Sequence, residues 1–154
     1  MPIGSTSQQA LFRMGYAISL WQGADEIKRS KLVIEAAAAP AFLLIGFAIE
    51  NALAAYLIYH LHQNPADYKS HDLLRAARQC PQYGLVLSKA SLQLLEFLNP
   101  HHTSFSFRYP EKAIGTIPLP DLSEACRASK EIIRDAYVML KIAGVDIDKE
   151  LDNL

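Results

Sequence analysis

Between Pro40 and His62 the chain reads PAFLLIGFAIENALAAYLIYHLH, with Glu50 as its one charged residue. Pro40 suits a first helical turn, and Phe42, Ile45, Ile49, Leu53, Tyr56 and His60 then follow one face of a helix. Leu44, Phe47, Ala48, Ala55, Ile58 and Tyr59 cover much of the remaining circumference. A helix apolar nearly all round must be surrounded by other elements. It therefore belongs at the centre of a helical bundle or at a seam shared with a second subunit. The one membrane candidate, Leu32–Ile49, is interrupted by Glu35 and Pro40 and closed by Glu50–Asn51. A spanning helix needs roughly 20 largely uncharged residues, so a core helix is the expectation.

The flanking sequence predicts a single all-α domain over residues 1–154, with a core over about 7–144 and a frayed tail over 145–154. Ser5, Thr6 or Ser7 can cap a first helix carrying Leu11, Met14, Ile18 and Trp21 on one face. Gly23 weakens it, and Asp25–Lys31 reads as a loop or a continuation. After Asn64–Pro65, Ser70 can cap a short third helix, HDLLRAARQ, with Asp72 in its first turn, and Cys80–Pro81 stops it. A fourth helix presents Leu87, Ala90, Leu94, Phe97 and Leu98 and halts at Asn99–Pro100. Phe105, Phe107 and Tyr109 alternate with polar residues, which predicts a short extended, Pro-rich piece before the last helix. That helix starts at Asp121, with Glu124 as capping-box partner, and ends at Gly144.

Charge narrows the functions. Fifteen basic and 16 acidic residues give a net charge of −1, which argues against broad attraction to nucleic acid or anionic lipid. Cys80 and Cys126 fit no metal or redox spacing and read as buried free thiols in a cytoplasmic protein. The polar segment Met1–Gln9 lacks the pattern of a secretory signal. There is no Gly-rich phosphate loop, H-E-x-x-H, C-x-x-C or G-x-S-x-G.

Three clusters can carry chemistry. Glu50, next to Asn51 inside the apolar helix, needs a cation, a donor, a subunit seam or solvent. It is either a satisfied interhelical contact or a site. His71, Asp72 and Arg75 share the start of the third helix, where exposed N–H groups favour an anion; the alternative is a capped helix with His71 packed locally. Arg108, followed by Tyr109 and Pro110, can bind a phosphate or carboxylate bidentately or clamp its own loop. His101 and His102, adjacent on a loop, make a weak metal site without further ligands, so no metal and no cofactor are expected.

Three segments in order, PAFLLIGFAIENALAAYLIYH, SHDLLRAA, and Leu98–Asn99 with Arg108–Lys112 (RYPEK), resemble the HEPN family of nucleotide-binding domains over roughly residues 37–144. The resemblance implies a helical bundle, commonly dimeric and often encoded beside a nucleotidyltransferase. Many members are RNases that use Arg, then four to six residues, then His. No arginine here meets a histidine at that spacing, since His101 and His102 precede Arg108. The expectation is therefore a non-catalytic, HEPN-like homodimer binding a nucleotide, another small anionic ligand or a partner protein such as a nucleotidyltransferase. Its pocket would draw on Glu50, His71, Asp72, Arg75, Arg108 and Tyr109. The alternative is a toxin-type HEPN ribonuclease with an unorthodox His102/Arg108 pair.

Overall fold

In the computed structural model, the residues described are 5–30, 34–61, 71–104, 107 and 120–148. Five α-helices carry them: α1 (Thr6–Arg29), α2 (Ile34–Leu61), α3 (Leu73–Gln79), α4 (Lys89–Thr103) and α5 (Leu122–Ile142). A 3-10 turn, Cys80–Tyr83, follows α3, and there is no strand among the described residues. The fold is an all-α bundle around α2, which packs against each of the other four helices.

The apolar circumference of α2 is covered within the chain. Ile45, Ala48, Ile49, Ala52, Leu53, Ala55, Tyr56 and Leu57 are all at 0% exposure. The Ala38–Leu61 stretch is long and apolar enough to cross a membrane, yet 78% of its most apolar window is buried inside the bundle. Among its described side chains α2 leaves no large exposed hydrophobic to be covered by a second subunit.

For α1 the structure takes the continuation and the Ser5 cap that the sequence left among its alternatives, while the start of α2 and the cap of α3 depart from the sequence reading. α1 runs straight through Gly23 and Asp25, because Asp25 is held by Lys28 at 2.8 Å and Arg29 at 2.6 Å. Ser5 caps it, accepting from the Gln8 N–H while the Gln8 side chain accepts from the Ser5 N–H. α2 starts six residues before Pro40; the alanine-rich EAAAA sequence favours helix strongly enough to tolerate one missing N–H.

Asp72, not Ser70, is the N-cap of α3, and its carboxylate accepts from Arg75 N–H at 3.0 Å. Asp121 caps α5 by accepting from Glu124 N–H at 3.0 Å, as its position implies. The start of the expected tail is anchored: Val145 and Ile147 are buried, and Asp148 accepts from Tyr137 and Lys141. Ser70, Arg108, Tyr109 and the Pro-rich segment lie outside the described residues.

The end of α4 matters most for function. It does not halt at Asn99–Pro100 but continues to Thr103 with Pro100 inside. Its buried stripe is Ser91, Leu94, Leu95, Leu98 and His102, and Ala90 is exposed. The extra turn puts His101 and His102 on a helix instead of a loop.

A histidine pair held on Glu50

The centre of interest forms where α2, the start of α3 and the end of α4 meet. Glu50 sits mid-way along α2 with its side chain 13% exposed. His71 donates from Nδ1 to Glu50 Oε2 at 2.9 Å, and His102 donates from Nε2 to the same oxygen at 2.6 Å. A carboxylate can only accept, so in this arrangement both of those ring nitrogens carry the proton.

Burial alone pushes the Glu50 carboxyl up. The hydrogen bonds and partial positive charge of His102 and His71 outweigh it and hold the group below the usual glutamate range.

Each partner is positioned by local sequence. His102 is 3% exposed and packs against Gly46, one turn before Glu50 on α2. A Cβ at Gly46 would lie only 2.5 Å from His102 Nδ1, so the ring can enter only because residue 46 has no side chain. His71 stands just before the Asp72 cap with φ +53°. That left-handed backbone costs a residue with a Cβ roughly 1–2 kcal/mol, and it turns the imidazole back towards α2. Phe47 walls the centre, edge-on to both rings, with centroids 4.9 Å from His102 and 6.0 Å from His71.

Asn99 locks α3 to α4. Its side-chain oxygen accepts from Leu73 N–H at 2.7 Å and Leu74 N–H at 3.3 Å. Together with the Asp72 cap this engages the first donors of α3, the groups that an anion site at that helix end needs.

Of the residues singled out in the sequence, Glu50 and His71 are brought together. Asp72 serves as a cap, and Arg75 lies exposed on α3. Among the described residues no arginine or lysine is hydrogen-bonded to Glu50. The two adjacent histidines separate: His101 packs with Phe97 and Phe107, while His102 turns to Glu50. Neighbouring Asn51 is satisfied separately, accepting from Arg13 of α1 at 2.9 Å and donating to Phe47 O at 2.8 Å.

Sequence reasoning missed Gly46 and Asn99 as positioning residues and set His102 in the wrong local structure. A glycine one turn before the acid of the apolar helix was the one available signal.

No protein-family model, curated protein or solved structure matches the chain.

Proposed function

We propose that this chain is a HEPN-like binding module that acts as a homodimer, does not cleave RNA, and binds its ligand at the Glu50 centre. The observation carrying this reading is convergence. The apolar helix, the SHDLL segment and the Leu98–Asn99 region supply Glu50, His71 and Asn99, and all three meet at one junction. An anionic ligand such as a nucleotide would have to draw its positive charge from Arg75 or Arg108, because the described part of the centre carries a carboxylate.

The ribonuclease alternative is the weaker reading. A histidine that moves protons on RNA must reach the substrate. His102 is 3% exposed and committed to Glu50. Purified protein should leave single-stranded and structured RNA intact over hours. Cleavage that co-purifies with the protein and disappears in Arg108→Ala would overturn this reading and promote the alternative.

The dimer reading draws its support from α1. Phe12 is 76% exposed and Tyr16 52% exposed, one turn apart. They border a concavity of about 470 Å³ lined also by Gln8, Gln9, Arg13, Asn51 and Ile58. Large exposed aromatics beside a concavity are what an interface covers. Sedimentation at micromolar concentration should give twice the 17.1 kDa chain mass, and Phe12→Glu with Tyr16→Glu should return it to the monomer value. A monomeric parent protein would contradict the homodimer.

A further inference from the structure

We propose that Glu50, His71 and His102 form a binding site for a divalent first-row transition-metal ion, with two imidazoles and one carboxylate as its protein ligands. The proposal rests on the reading of this centre as a binding site and names the ligand class.

The geometry is the first ground. One ligand atom from each residue, Glu50 Oε2, His71 Nδ1 and His102 Nε2, lies within 4.8 Å of the other two. Metal–ligand bonds of about 2.0–2.2 Å at tetrahedral angles place ligand atoms roughly 3.4 Å apart. The present separations from Glu50, 2.6 and 2.9 Å, are hydrogen-bonding distances. Those two spacings fall roughly 0.5–0.8 Å short of that separation, so admitting an ion requires the carboxylate to withdraw by about that much and the two imidazole nitrogens, within 4.8 Å of each other, to close on the ion.

The second ground is that the residues are held in place by features that packing alone does not require. Gly46 opens the space that His102 fills, and His71 adopts a left-handed backbone while facing Glu50. Phe47 supplies an apolar wall to both rings. Such a wall limits water and strengthens coordination.

The third ground is access. The His71 side chain is 28% exposed and that of Glu50 13% exposed, against 2% for His102. One side of the site thus faces solvent and the other is closed. An ion entering from the open side meets three ligands and keeps its remaining positions for water or a small ligand. That is the pattern of open sites, whereas closed structural sites use four protein ligands.

The donor set favours ions such as Zn²⁺, Co²⁺, Ni²⁺ or Fe²⁺ over Ca²⁺ and Mg²⁺, which take oxygen ligands. On binding, each imidazole carries its proton on the other ring nitrogen, Nε2 of His71 and Nδ1 of His102, and turns its lone pair to the ion. Protons at Glu50 and both histidines compete with the metal, so affinity falls as pH is lowered.

The test uses the full chain, stripped with a chelator and titrated with Co²⁺ and Zn²⁺ separately. One Co²⁺ per chain should bind with micromolar or tighter affinity and develop visible absorption bands, and one equivalent of Zn²⁺ should abolish them. Glu50→Gln and His71→Ala should each weaken binding at least tenfold, while Glu96→Gln, on the exposed face of α4, should leave it unchanged. Circular dichroism checks that the variants fold. If Glu50→Gln does not fold, His71→Ala alone decides, because that side chain is partly exposed.

Absence of saturable binding, or equal affinity in the parent and His71→Ala, would overturn the site. Neither result touches the dimer or the inertness towards RNA. Conversely, a monomeric or RNA-cleaving protein that still binds one Co²⁺ through these residues would overturn the functional reading and leave the metal site standing.

Discussion

Gly46→Ala should destabilise the protein by about 2–4 kcal/mol, although alanine is the better helix former. In an unobstructed helix interior this substitution gains roughly 0.5–1 kcal/mol, since glycine loses more backbone entropy on folding. At residue 46 the new methyl would lie 2.5 Å from His102 Nδ1 and 3.1 Å from Cε1. The obstacle is a buried ring, 3% exposed, with nowhere to retreat except away from Glu50. Moving it breaks the 2.6 Å hydrogen bond and leaves a buried donor and a partly buried carboxylate poorly satisfied.

Gly23→Ala on α1 is the internal comparison. Its Cβ would meet only the end of the flexible Leu44 side chain, at 3.3 Å, so it should be neutral or gain up to about 1 kcal/mol. Urea unfolding monitored by circular dichroism measures both. A Gly46→Ala variant as stable as the parent would mean that His102 does not pack against that glycine.

The helices were legible because each has a local signal. The all-round apolar pattern identified α2 as the central helix, and the caps at Ser5 and Asp121 lie where short polar residues precede amphipathic runs. Boundaries at proline were misread for one reason. Pro40 and Pro100 each remove a single hydrogen bond, a cost that an alanine-rich turn or packed neighbours can offset.

That error propagated to function. With α4 stopped at Asn99, His101 and His102 read as a loop pair. One more helical turn sends His102 into the core and His101 towards Phe107. Glu50 announced itself as an acid in an apolar helix that needed a partner. Its partners could not be read from spacing, because they lie 21 and 52 residues away and reach it only through tertiary packing. His71 was suspected for an anion at a helix end, yet it faces a carboxylate.

Removing that carboxylate should be the second large effect. Glu50→Ala deletes the acceptor for two imidazole N–H groups at once, one of them buried, and should cost about 2–4 kcal/mol. The pH dependence has a definite sign. The hydrogen bonds from His102 and His71 overcome the opposing effect of burial and lower the Glu50 pKa on folding. Its contribution is therefore present above the carboxyl's unfolded pKa and is lost as pH falls through the lower folded one. As pH falls below the ordinary carboxyl range the parent should progressively lose this component. Glu50→Gln, which does not titrate there, should lack it, so the stability gap between the two should narrow on acidification. A gap that stays constant or widens over that range would contradict the depressed pKa.

The claim on which the proposed site depends is that Glu50 and His71 are energetically joined across the α2–α3 junction. A double-mutant cycle on Glu50→Ala and His71→Ala, read by urea unfolding near neutral pH, measures this directly. The arrangement predicts a coupling energy of about 1–3 kcal/mol, with the double variant less destabilised than the sum of the two singles. Additivity to within about 0.5 kcal/mol would mean that the two residues do not interact and would remove the centre on which the account is built.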